Sequence, residues 1–156
     1  MFLPKMLHTL NSSMLEKHTD EIEEINQKAK EFGLILTRNE IKNIIVARNQ
    51  VLQSYGRVEL SVDVIKELAG VFCASPYVDD QNYVSTLYEL QEIFYYLKNE
   101  TEDKIGDIPL ICIMKDYFDN VCNGSLELLK SKLEEFAEQF RSDLSFRNSF
   151  LEKEEQ

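Results

Sequence analysis

Apolar residues recur at helical spacing along nearly the whole chain, and residues that break helices are rare. Only three prolines and five glycines occur among the 156 residues, and most of them fall between the periodic segments. Proline and glycine in those positions mark short connections. The sequence therefore predicts an all-α protein, a single-domain bundle of about six helices with short connections.

The length and the hydrophobic content are those of one compact domain, since 156 residues at 44% hydrophobic can bury a substantial core. We place the helical domain at residues 14–141. Residues 1–13 are predicted to be a flexible or loosely docked N-terminal segment. Residues 142–156 mix aromatic and charged side chains, and we predict an acidic C-terminal segment that forms a short docked helix and frays.

The periodic segments predict where the helices lie, at about residues 14–32, 38–55, 62–74, 79–100, 108–121 and 126–140. Thr37 and Glu40 have the spacing of a capping box, in which each side chain bonds the backbone amide of the other residue. Later helices have candidate single caps. These caps are Ser61, Asp79 or Asp80, Asp107 and Ser125.

Charge is unevenly distributed along the chain, which carries 28 acidic and 17 basic residues. Residues 34–57 have a net charge of +3, whereas the part that follows has a net charge of -12. An acidic surface repels phosphate backbones and anionic lipid headgroups, so the charge disfavours nucleic acid as a partner and no membrane partner is expected. Arg38, Lys42 and Arg48 are predicted to pair with acidic helices, within the chain or across a dimer.

The basic stretch leaves one weaker alternative, which is helix-turn-helix DNA binding around residues 38–74. The recognition helix would then be residues 62–74. That helix carries Asp63 and Glu67 against Lys66 alone. Its charge has the wrong sign for lying in a major groove.

The three cysteines, Cys73, Cys112 and Cys122, are odd in number and lack Cys-x-x-Cys spacing. They lie within apolar helical patterns, so we predict reduced core residues and neither disulfides nor metal ligands. The sequence also has no run of about 18 apolar residues that could form a membrane span. These features together predict a cytoplasmic protein.

Residues 77–102 form the longest helical pattern and carry five of the seven tyrosines. Tyrosine is favoured at protein interfaces because its ring can be buried while its hydroxyl stays in water. We predict an interaction surface at Tyr88, Tyr95 and Tyr96, although ordinary core packing would use the same rings. The function favoured is a noncatalytic interaction or regulatory module that binds another protein, or itself as a homodimer.

The rival hypothesis is an enzyme or metal-binding protein that uses Glu89 and Glu92, which share a helix face with Tyr96. Two such carboxylates could hold a hard cation or act as an acid and a base. Helical di-metal sites normally add a Glu-x-x-His pair, and neither His8 nor His18 follows a glutamate by three residues. We therefore assign no metal ligand, no cofactor and no catalytic residue.

Three stretches resemble a family of small uncharacterised proteins from Gram-positive, mostly anaerobic, bacteria. They are Ser75 to Val78, Glu92 to Thr101 and Phe118 to Glu127, and the likeness extends over residues 30–140. No activity is assigned to that family. The resemblance implies a bacterial cytoplasmic setting and no site residues.

Overall fold

The structure, a computed structural model, describes the backbone of residues 3–154 and the side chains of residues 12–153. Over that range it confirms a single all-α domain with short connections, with seven helices of ten or more residues and no strand. The helices, including one of a single turn, are α1 (Leu3–Glu23), α2 (Asn26–Ala29), α3 (Arg38–Ser54), α4 (Asp63–Phe72), α5 (Tyr83–Glu100), α6 (Asp107–Asp116), α7 (Leu126–Ser142) and α8 (Leu144–Glu154).

Helix α5 lies at the centre of the bundle and packs against α3, α4 and α7. The outer layer consists of α1 on α3, α6 on α4 and α8 on α7. Leu90, Phe94 and Leu97 of α5 are completely buried, because residues three and four apart in a helix face the same side. No helix in the described part of the chain combines the length and the apolar character that crossing a bilayer requires.

Two of the predicted caps are confirmed. The Thr37 hydroxyl accepts a hydrogen bond from the Glu40 amide at 3.1 Å, and the Glu40 carboxylate accepts one from the Thr37 amide at 2.9 Å. The Ser125 hydroxyl accepts from the amide of Leu128 at 3.1 Å. Each of these bonds satisfies a donor that the helix itself cannot, so α3 and α7 begin where the sequence predicts.

The caps predicted for α4 and α6 are each misplaced by one residue. The residue that precedes α6 is Gly106, and Asp107 is the first helical residue, with its carboxylate 2.9 Å from the amine of Lys98. The residue before α4 is Val62 rather than Ser61, but the Ser61 hydroxyl accepts a long hydrogen bond, of 3.4 Å, from the amide of Asp63 at the start of the helix. The Asp107 carboxylate thus pairs with Lys98 and does not cap the helix that it begins.

Asp79 caps a turn and not the helix itself. Its carboxylate accepts hydrogen bonds from the amides of Gln81 and Asn82 at 2.9 and 3.0 Å. Helix α5 begins at Tyr83, directly after this turn. The neighbouring Asp80 is exposed. The predicted start of this helix was therefore three to four residues early.

The predicted helix over residues 14–32 is interrupted after Glu23, and Asn26 accounts for the change in direction. Its side-chain amide donates to the Leu36 carbonyl and accepts from the Leu36 amide, each at 2.8 Å. Residues 34–37 form a non-helical connection in which Leu34 and Leu36 are 1% exposed while Ile35 between them is 67% exposed. Asn26 thus fixes this connection against the first helices.

Helices lie near both ends of the described chain, and the one near the C-terminus is the short docked helix that the aromatic residues there predict. Helix α1 begins at Leu3, within the segment of residues 1–13 that was predicted to be loosely docked. How the side chains of that segment dock lies mostly outside the described residues. Helix α8 occupies most of the predicted fraying segment. Its Phe146 and Phe150 rings pack edge-on against Phe136 of α7, with centroids 5.8 and 5.5 Å apart.

The helix predicted over residues 108–121 is not α-helical throughout. Helix α6 ends at Asp116, and a π-helical turn, Tyr117–Val121, follows it directly. In this turn the amide of Cys122 bonds the carbonyl of Tyr117, five residues earlier. The wider turn places Phe118 in the core, where its ring meets Phe72 edge-on at 5.4 Å.

The cysteines are all free, but only two of them match the prediction of core residues. Cys73 and Cys122 are buried, and burial raises the pKa of both thiols above the ordinary value. Cys112 is exposed, because it lies on the outer side of α6.

The basic stretch largely pairs within the chain, as predicted. Arg38 contacts Glu16 and Asp20 of α1 at 2.9 and 2.8 Å, and Lys42 contacts Glu16 at 2.5 Å. Arg48 is different. It is 3% exposed, and no carboxylate among the described residues lies within the 4.0 Å of an ion pair.

The helix-turn-helix alternative is not supported by this packing. In that motif the two successive helices pack on each other, whereas α4 packs against α5 and α6 and α3 packs against α1 and α5. Six of the ten residues of α4 are buried, so the would-be recognition helix has little free surface for a groove.

Candidate functional site

A cleft of about 240 Å³ opens between α3, α5 and α7. Its floor is apolar and combines one side chain from each helix, Val51, Ile93 and Leu133. Ile93 and Leu133 belong to the stripes that hold α5 and α7 in the core, being 4% and 1% exposed. The cleft is therefore a gap in helix packing whose base is the hydrophobic core itself.

Two half-buried tyrosines stand in the wall of this cleft, Tyr55 at the end of α3 and Tyr96 on α5. Partial burial raises the pKa of both hydroxyls above the ordinary value of a tyrosine. Negative charge raises it further, from Glu100 and Glu92 for Tyr55 and from Glu100 and Glu134 for Tyr96. At Tyr96 the guanidinium of Arg141, which pairs with Glu100 at 2.6 Å, partly offsets this effect and lowers the pKa. Both hydroxyls therefore stay neutral at ordinary pH.

Three exposed carboxylates surround the opening, Glu89 and Glu92 from α5 and Glu134 from α7. Lys130 is the one base that lines the cleft, and it makes no ion pair within 4.0 Å with a described residue. The opening thus has an excess of negative charge. Its chemistry suits a cation that also carries an apolar part.

The structure brings together the predicted carboxylate face and one of the three predicted tyrosines. Glu89, Glu92 and Tyr96 all line the same cleft, as their spacing on one helix face requires. Tyr88 is half-buried against the core on a neighbouring face and does not reach the cleft.

Tyr95 does not belong to a surface at all. Its side chain is completely buried, its ring meets Phe94 edge-on at 5.0 Å, and its hydroxyl donates to Glu59 at 2.6 Å. Because consecutive helix residues point about 100° apart, the adjacent Tyr96 reaches the cleft while Tyr95 faces the core.

Comparison with known proteins places the chain in a family. Residues 21–146 match the family of unknown function DUF6323. The chain belongs to this family. No curated protein and no solved structure matches it.

The matched region of this DUF6323 chain contains every residue that lines the cleft, from Val51 to Glu134. The first part of α1 and most of α8 lie outside the match. The cleft is thus formed entirely by the part of the chain that defines the family.

Sequence reasoning missed the residues of the DUF6323 cleft that lie outside α5. In the sequence, Tyr55 is simply the last residue before the helix-ending Gly56. Lys130 and Glu134 occupy positions that are typical of the exposed face of an amphipathic helix. The i to i+4 spacing of Lys130 and Glu134 was the available signal, since it puts both on one face. Nothing in the sequence shows that this face lies beside α5.

The metal hypothesis gains no ligand set from the DUF6323 structure. Among the residues with described side chains, no group of three or more His, Cys, Asp or Glu is arranged to hold a metal ion. Glu89 and Glu92 share the cleft with tyrosines, a lysine and an apolar floor. This composition can bind a cationic side chain without any metal chemistry.

Proposed function

We propose that the protein is a noncatalytic interaction module that binds a basic segment of a partner protein in the cleft between α3, α5 and α7. The observation that carries the proposal is the composition of the cleft. The tyrosines Tyr55 and Tyr96 stand between an apolar floor and the carboxylates Glu89, Glu92 and Glu134.

A lysine or arginine side chain fits this arrangement because it is itself divided into an apolar stem and a charged head. The stem would lie on the floor at Val51, Ile93 and Leu133, and the head would meet the carboxylates and the faces of the tyrosine rings. The volume of about 240 Å³ suits one long side chain, since it is below the range of roughly 300–1,000 Å³ of drug-sized ligand pockets.

A different protein is a better partner than a second copy of this chain, on grounds of charge. The chain carries a net charge of -11, so two copies repel each other. The bases Arg38 and Lys42, which could have entered the cleft of a second copy, are held by carboxylates of α1. A homodimer that placed either of these two bases in the cleft would have to break those pairs.

The setting we propose is the cytoplasm of a Gram-positive bacterium. The resemblance of the residues from Ser75 to Glu127 points to such an origin, and the three free thiols suit a reducing compartment. Thiol alkylation of the protein inside intact cells of its source organism tests the compartment. Complete labelling of the exposed Cys112 is expected, and a protein recovered with that thiol oxidised would contradict the assignment.

Peptide binding tests the function directly. A library of short peptides that combine lysine or arginine with aliphatic residues is titrated against the labelled protein, alongside acidic peptides of the same apolar content. We expect binding of a subset of the basic peptides only. Replacing both Glu89 and Glu92 by glutamine should weaken that binding by about tenfold or more, because each charged contact contributes roughly 1 kcal/mol or more when partly buried.

The matched control is Glu138→Gln, which removes an exposed carboxylate of α7 that does not line the cleft. Binding that falls equally in both variants would show a general charge effect and contradict a specific cleft. Tyr96→Ala adds a check on the ring, since it leaves the charge unchanged and should still weaken binding.

Sedimentation of the purified protein with metal analysis of the same sample separates the remaining alternatives. The proposal predicts a metal-free monomer that forms a heteromeric complex with the basic peptide. A monomer that carries stoichiometric metal would favour the metal-binding hypothesis at Glu89 and Glu92. A stable dimer that no longer binds peptide would place a second copy of the chain in the cleft.

A further inference from the structure

A second cavity, of about 360 Å³, lies between α1, α3 and the connection that follows α3. It shares no lining residue with the cleft. Leu15 of α1 and Ile45 and Val46 of α3 give it apolar walls, and Arg48 and Glu59 give it charge. The cavity is thus a separate site with a different character.

Arg48 is the unusual side chain of this cavity. It is 3% exposed, and one of its terminal nitrogens donates to the carbonyl of Ser61 at 3.0 Å, with a longer contact of 3.5 Å to the carbonyl of Glu59. Its Nε is buried and has no hydrogen-bond partner among the residues with described side chains. A buried guanidinium that has no carboxylate beside it is costly, because desolvation of the charge is not offset.

Glu59 lines the same cavity, yet it does not pair with Arg48. Its carboxylate accepts the hydroxyl of Tyr95 at 2.6 Å, and the two charged groups do not come within the 4.0 Å of an ion pair. Opposite charges that line one cavity without meeting leave room for a group between them. Arg57 is near enough for its charge to interact with Glu59, but it forms its ion pair with Asp103 at 2.6 Å. A molecule that carries a carboxylate and an ammonium group would give both Arg48 and Glu59 an ion-pair partner.

His18 completes the polar lining and is 6% exposed. Its Nε2 donates to the carbonyl of Leu60 at 3.1 Å, which ties α1 to the connection that contains Glu59. The cavity is therefore held together by hydrogen bonds from two different helices to one short segment. That arrangement keeps the charged groups in place in the absence of a ligand.

We propose that this cavity binds a small zwitterion of the α-amino acid class. Its carboxylate pairs with the Arg48 guanidinium, its ammonium group pairs with Glu59, and its side chain lies against Leu15 and Val46. Guanidinium and carboxylate have matching planar geometry, and charge-assisted bonds are the strong ones in a low-dielectric site. This inference is independent of the proposed function, because it concerns another cavity and another class of ligand.

Titration calorimetry with the α-amino acids at millimolar concentration tests the proposal on the full-length protein. At least one α-amino acid should bind. Its N-acetylated form, which lacks the ammonium group, and its amide, which lacks the carboxylate, should each bind about tenfold or more weakly. Absence of binding by all of the amino acids overturns the proposal, as does equal binding of either capped form.

Variants locate the binding within the protein. Glu59→Gln keeps an acceptor for the Tyr95 hydroxyl and removes the charge. It should weaken binding of the amino acid and leave binding of its N-acetylated form unchanged. Replacement of Arg48 could prevent folding, and Val46→Trp avoids that problem by filling the mouth of the cavity from a half-exposed position. Asn43→Trp, at an exposed site on the same helix that does not line the cavity, is the matched control.

Loss of binding in Val46→Trp with retention in Asn43→Trp is the expected result. Unchanged affinity in Val46→Trp would place the amino acid elsewhere and overturn the assignment. Because no residue of the cleft is altered in these variants, binding of basic peptides should remain the same in all of them. The outcome for the cavity and the outcome for the cleft are thus read separately.

Discussion

The hydroxyl of Tyr95 donates a 2.6 Å hydrogen bond to the carboxylate of Glu59, and this bond joins the central helix α5 to the connection between α3 and α4. The tyrosine ring is completely buried, so the bond lies at the boundary between the core and the surface segment. The guanidinium of Arg57 lies 6.0 Å from the centroid of the same ring. Tyr95 is thus one of several side chains that hold this connection, together with His18, which bonds Leu60, and Arg48, which bonds Ser61.

Tyr95→Phe should destabilise the fold by about 1–2 kcal/mol, because it removes a charge-assisted hydrogen bond and leaves the ring packing intact. Urea denaturation followed by circular dichroism measures the change. Tyr88→Phe is the control, since that hydroxyl makes no hydrogen bond with a described residue, and its effect should stay within about 0.5 kcal/mol. Equal effects of the two variants would contradict the role of the Glu59 bond.

Stability should fall as the pH rises above about 10. Burial is the first cause that raises the pKa of Tyr83 and Tyr95 far above the ordinary value of 10.0, so both remain protonated in the folded state while they ionise in the unfolded chain. Their contribution is fully present below pH 10 and is lost above it, at about 1.4 kcal/mol per pH unit for each tyrosine. Urea denaturation at several pH values between 8 and 11 measures how the free energy of unfolding changes with pH. In Tyr95→Phe this change should be smaller by the contribution of one tyrosine, about 1.4 kcal/mol per pH unit.

Gly124→Ala should destabilise the protein by about 2–4 kcal/mol, since two costs add. The glycine has a φ of 82°, which disfavours a side chain, and a Cβ there would lie 2.5 Å from the Cβ of Tyr77. Gly56→Ala is the matched control, because Gly56 has a φ of 65° and no atom within 4 Å of the added carbon. It should show only the conformational cost of about 1–2 kcal/mol. Thermal denaturation of both variants makes the comparison.

Asn26→Ala should cost about 2 kcal/mol or more, because it leaves the amide and the carbonyl of the buried Leu36 without partners. Hydrogen exchange should then show faster exchange at the Leu36 amide. Asn43→Ala, at an exposed site of α3, should change neither quantity. An unchanged exchange rate of the Leu36 amide in Asn26→Ala would mean that the Asn26 bond does not protect this amide from solvent.

Local signals in the sequence were sufficient for part of the fold. Thr37, Glu40 and Ser125 cap their helices because capping needs only neighbours in the chain. The interruption at Asn26 could not be predicted in this way, since its partner is ten residues away. The apolar stripe through that region continues past the break and so favours one long helix.

The candidate site shows the same limit. Glu89, Glu92 and Tyr96 could be placed on one face from their spacing alone, and they do line one cleft. Tyr95 was misassigned because its ring and its hydroxyl suit an interface as well as a core, and only the partner Glu59, 36 residues away, decides between them. The opposite wall of the cleft comes from helices whose arrangement around α5 follows from packing of the whole chain.

The pairing of Arg38 has a consequence for how α1 is attached. Its guanidinium contacts Glu16, Asp20 and Glu23, which are spaced by four and three residues and so lie along one face of α1. Arg38 lies within the residues that match the family, whereas Glu16 and Asp20 precede them. Together with the Lys42–Glu16 pair, this one guanidinium helps to fix the rotation of α1 about its axis. Salt would loosen this attachment before it affects the core, because the three ion pairs are open to solvent.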